Sequence, residues 1–386
     1  MPPFLLFALF FSFSIAFNML GPLVTNIMAT TGMSLTECGS LLSSQQLGAI
    51  GTMALMFIFQ KRMKQSTLMT SGYIAIIIAF LGITINQHIF IIFAGYIVLG
   101  VGSFLVDSGT NSFIASAYFS KRALYIPLLH FMYSVGAIIT GYIILPFKSP
   151  SWPYAYMSVA LVLLIFITMF IISSKNTHRR PLEDKEQGPT KELLKDPAFI
   201  LYTLVIMFYM GIQIICSTWI PVYVETELHQ SALMTSTSLT AFWVGIALSR
   251  LIIGPILNKG AKPFTLSIWG MVFSALSLII ATSLSIHIGS VLFFTFLCGF
   301  FAGSTIPMYI VVVSTWYPNN TTFISLSYIL SGTIGRMIFP FLVTVIASST
   351  SLSFSLSLSS ILFLLGALFI LIVKRLSSKR PSYSHV

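Results

Sequence analysis

Long apolar runs separated by short polar breaks fill this chain from end to end. A helix crossing the hydrocarbon layer of a membrane needs about 20 apolar residues. Twelve stretches meet that pattern, at residues 4–29, 37–60, 67–85, 88–113, 124–146, 153–173, 198–223, 232–257, 264–284, 288–313, 322–348 and 351–373. The one long polar interruption runs from Ser173 to Asp196 and holds Arg179, Arg180, Glu183, Asp184, Lys185, Glu186, Lys191 and Glu192. It reads as a solvated linker with room for a short amphipathic helix. The pattern therefore predicts an all-α membrane protein of twelve transmembrane helices. They form two six-helix bundles at 1–173 and 198–374, a linker at 174–197 and a tail at 375–386.

Composition agrees with the pattern. Of the 386 residues, 56% are hydrophobic and 8% charged, against about 25% charged in soluble domains. The N-terminal Met1-Pro-Pro-Phe-Leu-Leu-Phe lacks the basic start of a signal peptide, and its apolar run continues past signal length, so it reads as the first span. A net charge of +11 suggests nucleic acid until the charges are located. Lys61, Arg62 and Lys64 follow the second span, Lys121 and Arg122 the fourth, and Lys175, Arg179, Arg180, Lys185, Lys191 and Lys195 the sixth. Lys259 and Lys262 follow the eighth, and Lys374, Arg375, Lys379 and Arg380 the twelfth. Twelve alternating spans put all of these on one side and only Lys148 on the other. The positive-inside bias then places both termini and the linker in the cytoplasm. No nucleic-acid partner is implied. Cys38, Cys216 and Cys298 have no metal-ligand spacing and read as buried small hydrophobes; no metal or cofactor is expected.

The candidate chemistry is the set of polar residues inside the spans. Asp107 is the only acid deep in an apolar run, and a charged side chain at the bilayer centre costs at least ~2.5–3.5 kcal/mol. Ser103, Asp107 and Asn111 stand at i, i+4 and i+8 and share one helical face. One reading is a polar stripe facing an aqueous cavity, with Asp107 exchanging a proton; the other is a carboxylate that joins helices. His130 and Ser134 in the fifth span are placed to contact a ligand or, for His130, to approach Asp107; a structurally satisfied histidine is the alternative. Gln213 and Ser217 share a face of the seventh span. Trp219 and Tyr223 in the same span read as an interfacial aromatic belt.

Arg336 lies mid-span in the eleventh segment, which also holds Tyr328. Its guanidinium keeps its charge, so it needs an anion, a water-filled cavity or carbonyls. Arg250, toward the end of the eighth span, reads as a gate or interface residue, with Asn258 and Lys259 in the following loop. Asn18 in the first span and Gln45 and Gln46 in the second are suited to lining a cavity or joining helices. Pro22, Pro307 and Pro340 lie within spans, where the carbonyls they free often serve binding sites.

Several of these segments resemble the fucose permease branch of the Major Facilitator Superfamily, the fucose–galactose–glucose:proton symporters. Val106-Asp107-Ser-Gly-Thr-Asn111-Ser-Phe113 is similar to that branch's acid-x-x-x-Asn-x-Phe motif. His130 before Gly136-Ala137, Tyr209-Met-Gly211-Ile-Gln213, Ser249-Arg250 with Gly254, and Gly254-Pro-Ile-Leu-Asn258-Lys259-Gly260 extend the likeness across the chain. The resemblance implies proton-driven sugar uptake by alternating access, with Asp107 as the proton site and His130 and Gln213 on the substrate. Two departures stand out. Gly21 occupies the position of the branch's span-one acid, with Asn18 the polar residue nearby, and Arg336 stands where glycine is usual.

The expectation is a secondary transporter with its site between the halves near the midplane. Asp107 carries the proton. Asn18, Gln45, Gln46, Ser103, Asn111, His130, Ser134, Gln213, Ser217, Tyr328 and Arg336 contact a small polar solute, a sugar first of all. Arg250, Asn258 and Lys259 gate. The alternative is efflux or exchange of an anionic or drug-like solute, with Arg336 as the anion site. No Walker motif or repeated filter sequence supports a pump or channel. The short loops suggest a bacterial inner membrane, and a monomer is expected.

Overall fold

The computed structural model describes residues 3–59, 64–118, 121–147, 150–174, 193–284, 287–317 and 319–377. Lys61, Arg62, Lys148, Lys379, Arg380 and linker residues 175–192 lie outside the described residues. The helices, numbered in chain order, are α1 (Phe4–Asn18), α2 (Leu20–Thr31), α3 (Leu35–Phe59), α4 (Gln65–Ile85), α5 (Ile89–Ala117), α6 (Arg122–Ile144) and α7 (Pro153–Ser174). They continue as α8 (Pro197–Thr226), α9 (Ala232–Asn258), α10 (Pro263–Ile279), a π-helical turn (Ile280–Leu284), α11 (Ile288–Ala302), α12 (Thr305–Trp316), α13 (Thr321–Ser349), α14 (Leu352–Ser359) and α15 (Ile361–Ser377).

Among the described residues, ten segments are long and apolar enough to cross a membrane, with α11–α12 and α14–α15 each counted as one; the bent pair α1–α2 brings the number to eleven. The sequence pattern predicts twelve. The predicted span outside that count is α3, a 25-residue helix. The 43° bend between α1 and α2 has a local cause. Pro22 has no N–H to give the Asn18 carbonyl, and its ring crowds that carbonyl, so the helix breaks at Met19.

The chain divides into two units, Met1–Glu183 and Asp184–Val386. In unit 1, α1 packs on α6 and α7, α3 on α5, and α4 on α5 and α7. In unit 2, α8 packs on α13 and α15, α9 on α11, and α10 on α11 and α15. Each partnership of the first unit thus recurs in the second, so the halves are internal repeats although their sequences show no obvious periodicity.

With little hydrophobic driving force between helices in lipid, association relies on close backbone approach at small residues. A Cβ on Gly100 of α5 would lie 1.7 Å from the Gln45 carbonyl oxygen of α3, and one on Gly335 of α13 would lie 1.9 Å from that of Met207 in α8. Only glycine allows either contact.

Polar side chains finish the helix ends. Ser34 and Glu37 form a reciprocal cap at the start of α3, with Ser34 N donating to Glu37 Oε2 (2.7 Å) and Glu37 N to Ser34 Oγ (3.2 Å). Asp196 caps α8 through Ala198 N (3.0 Å) and also accepts the Tyr317 hydroxyl. At the other end of α8, Glu227 accepts the free amides of Leu352 (2.5 Å) and Ser353 (2.9 Å) at the start of α14. The neighbouring π turn offers the Thr282 carbonyl to both Tyr223 Oη (3.2 Å) and Ser353 Oγ (2.6 Å). The helix α14 is thereby fixed to α8 and to the end of α10.

Candidate substrate and proton site

In unit 1 the stripe predicted on the fourth span lies within α5. Asn111 Nδ2 donates to the Asp107 carbonyl (2.9 Å) and to Asp107 Oδ1 (3.1 Å). Ser103 instead turns its hydroxyl back to the Leu99 carbonyl (2.7 Å). Asp107 and Asn111 are half-buried, and Ser103 is buried. The side chain recorded on Asp107 is thus Asn111, one turn further along the same helix. The His130 ring lies edge-on to Phe10 of α1, with centroids 5.8 Å apart, and Ser134 donates to the His130 carbonyl at 3.2 Å.

Asn18, at the break between α1 and α2, donates to the Ser14 carbonyl (2.8 Å) and makes a long contact with the Tyr133 hydroxyl (3.5 Å). Ser14 Oγ in turn donates to the Tyr133 carbonyl at 2.5 Å. Tyr133, which also packs on Phe10 and Phe13, is a member of this cluster that the sequence reading omits. Its only sequence signal is its place one residue before Ser134. Gln45 and Gln46 are both buried in α3, and the Gln45 amide nitrogen has no hydrogen-bond partner among the described residues.

In unit 2, Gln213 and Ser217 are buried along α8, and Ser217 donates to the Ile214 carbonyl at 3.2 Å. Arg336 is half-buried in α13, with Nη2 at 3.4 Å from Thr333 Oγ1. Tyr328 stacks on Tyr309 at 6.2 Å; the Tyr309 hydroxyl meets Thr203 Oγ1 (3.1 Å), and the Thr203 carbonyl takes Ser331 Oγ (2.8 Å). Tyr328 therefore belongs to the packing of α8, α12 and α13. Arg250 lies beside the Tyr209 hydroxyl of α8. Asn258 ends α9 and Lys259 follows as its cap residue, both exposed, so these two stand apart from the buried residues.

Asn18, Ser217 and Arg336 share a feature of register: each stands four residues before a proline (Pro22, Pro221, Pro340) inside a span. Each main-chain carbonyl is thereby deprived of its usual helical donor, beside a polar side chain of the same residue.

One expectation changes. Trp219 and Tyr223 are not a lipid-interface belt: they are 0% and 3% exposed, and Trp219 Nε1 donates to the Pro340 carbonyl at 3.2 Å. The cysteines are buried as expected, yet Cys216 and Cys298, distant in sequence, bring their thiols into hydrogen-bonding contact.

A multi-pass helical membrane protein built from two repeats, with polar side chains and proline-released carbonyls inside its spans, has the architecture of a secondary transporter. The chain belongs to the Major Facilitator Superfamily, whose sequence profile matches residues 6–266 and 217–385. By family and fold it is a membrane transporter rather than an enzyme. Among relatives, it is 24% identical over 282 residues to Bypass of stop codon protein 6 of Saccharomyces cerevisiae, covering 64% of this chain and 56% of that protein. It is 28% identical over 144 residues to Major facilitator superfamily domain-containing protein 4A of Homo sapiens, covering 37% of this chain and 28% of that protein. The matches thus span about half of the yeast relative and under a third of the human one. The fold is similar to that of a bacterial homolog of the human lysosomal transporter Spinster (TM-score 0.75, 12% identity, 96% of each chain covered). It is equally similar to a POT family transporter solved with a thioalcohol-conjugated peptide (TM-score 0.75, 13% identity, 97% and 96% covered).

Proposed function

We propose that the chain moves a sugar or related polar solute by alternating access, coupled to protons that load on Asp107. The observation that carries this reading is the setting of Asp107. It is a half-buried carboxylate within a membrane-spanning helix, bonded to Asn111 of that helix and paired with no cation among the described residues of unit 1. A carboxylate so placed is unfavourable in lipid and is retained where it serves an ion or proton path. The likeness of the Asp107–Phe113 segment to the fucose permease branch supports the same role. The hydroxyl and amide groups of Asn18, Gln45, Gln46, Gln213 and Ser217 supply donors and acceptors suited to a polyhydroxylated solute. The basic loops support cytoplasmic termini. The short loops support a bacterial inner membrane, although the relatives named above come from yeast and human.

A thermal-shift screen of sugars, sugar acids and drugs identifies the ligand, since binding to the folded state raises apparent stability. Asp107→Asn is then expected to abolish gradient-driven accumulation of that ligand in proteoliposomes and to leave counterflow exchange intact. Unchanged accumulation in the variant sinks the assignment.

A second reading, exchange or efflux of an anion, draws on Arg336, a permanent cation within α13 whose hydroxyl partner Thr333 is neutral. It requires that Arg336→Gly remove binding of an anionic ligand. Stabilisation by neutral sugars alone, equal in the variant, excludes it.

A further inference from the structure

The end of unit 2 that adjoins the linker gathers positive charge on two packed helices. A Cβ on Gly366 of α15 would lie 2.8 Å from the Met271 sulfur of α10, and further along α15 the Lys374 Nζ donates to Thr265 Oγ1 of α10 at 3.2 Å. The two helices therefore run antiparallel, with the end of α15 beside the start of α10. Lys262, the residue before α10, and Arg375, the residue after Lys374, are exposed there, and Lys374 is half-buried.

This charge lacks an evident counter-ion. An ammonium group has more donors than one hydroxyl can take, and a cation drawn partly out of water calls for an anion. Among the described residues, the partner of the Lys374 ammonium is the neutral Thr265 hydroxyl. The described acids of unit 2 are engaged elsewhere: Asp196 accepts the Ala198 amide and the Tyr317 hydroxyl, and Glu225 and Glu227 stand at the opposite end of α8. No side chain caps the first amides of α10, which adds a further pull on negative charge.

Deeper in the span the same helices present an apolar surface. Trp269 lies one turn after Thr265, about 6 Å along the axis, and is 55% exposed. Leu368 and Leu371 are exposed on the stripe of α15 that ends in Arg375. Cations above an exposed apolar face match an amphiphile with a negative head. An indole one turn below the charges suits the same boundary.

We propose that Lys262, Lys374 and Arg375 hold the headgroup of an anionic phospholipid, with an acyl chain against Trp269 and Leu368. The site is separate from the transport residues and does not depend on what the protein carries.

Trp269 makes the site its own reporter, because the other four tryptophans, Trp152, Trp219, Trp243 and Trp316, are buried. The full-length protein is reconstituted in phosphatidylcholine vesicles with small, matched fractions of brominated phosphatidylglycerol or brominated phosphatidylcholine, and quenching of tryptophan fluorescence is compared. Half-maximal quenching is expected at a mole fraction at least about fivefold lower for the anionic lipid, from the usual worth of one basic residue at an anionic surface. Trp269→Phe is expected to remove the difference. The triple variant Lys262→Gln, Lys374→Gln, Arg375→Gln is expected to be quenched equally by both lipids. Should it fail to fold, Lys262→Gln alone, at an exposed position, is expected to weaken the preference. Equal quenching of the wild type by the two lipids overturns the proposal. So does a difference that persists in Trp269→Phe, or a wild-type preference in the triple variant or, in its place, in Lys262→Gln. Inorganic phosphate at constant ionic strength is expected to leave the preference unchanged; its loss assigns the cluster to free phosphate and overturns the lipid.

Discussion

Asn111 holds Asp107 at two points, its side-chain amide reaching both the main-chain carbonyl and Oδ1 of the residue one turn earlier. The pair needs nothing but one helix, so it forms wherever α5 forms. A hydrogen bond to a charged group contributes roughly 1.5–3 kcal/mol. Asn111→Ala is therefore expected to lower proton-driven accumulation about tenfold or more, taking about 1.4 kcal/mol per factor of ten. Accumulation in proteoliposomes at a fixed pH gradient checks it; an unchanged level means that Asn111 does not tune the carboxylate.

Glu227 acts at the opposite end of the energetic scale, on stability. Its carboxylate accepts two amides at the start of α14, where the helix dipole also favours negative charge. Glu227→Ala is expected to destabilise the protein by about 1–2 kcal/mol, the usual worth of a cap. Ser351, which still accepts the Phe354 amide at 3.1 Å, keeps the loss from being larger. Thermal unfolding of the detergent-solubilised protein reads this out, and an unmoved midpoint would falsify the clasp.

Glycine contacts give a paired prediction. Gly100→Ala puts a methyl group 1.7 Å from a backbone oxygen, whereas a Cβ at Gly51 meets nothing within 4 Å. Overpacking of this kind costs about 1–3 kcal/mol, and a glycine replaced by alanine in an open helical position gains up to about 1 kcal/mol. Expression and monodisperse elution should fall for Gly100→Ala and hold or improve for Gly51→Ala. Equal behaviour of the two would mean that α3 and α5 do not approach as closely as described.

Pro22→Ala returns a donor to the Asn18 carbonyl and removes the ring that bends the first span. Spin labels at the two ends of the α1–α2 segment are expected to move apart as the 43° bend relaxes, with no loss of thermal stability and slower transport. Unchanged label distances would assign the bend to packing instead of to the proline.

Much of this protein is local, and what is local was readable. Run length and hydropathy mark the spans, because lipid demands apolar length and internal backbone pairing whatever the neighbours are. The i, i+4 spacing of Asp107 and Asn111 foretells their bond, and Pro22 foretells the break after Asn18.

Tertiary structure decided what neighbours do. Trp219 looks like a belt residue in sequence because indoles suit interfaces; burial against α13, with its N–H on the Pro340 carbonyl, is a property of two helices. Cys216 of α8 meets Cys298 of α11, and Gly72 of α4 seats on the backbone of α5 at Gly102 and Val106, a glycine serving as spacer between two helices. A single chain position reveals that it is glycine, but not which carbonyl will approach it. The sequence alone thus determined that this is a multi-pass helical membrane protein with a costly acid in its fourth predicted span. The fold determined which side chains and carbonyls meet across helices, because contacts between helices depend on where two surfaces meet and not on the pattern along either one.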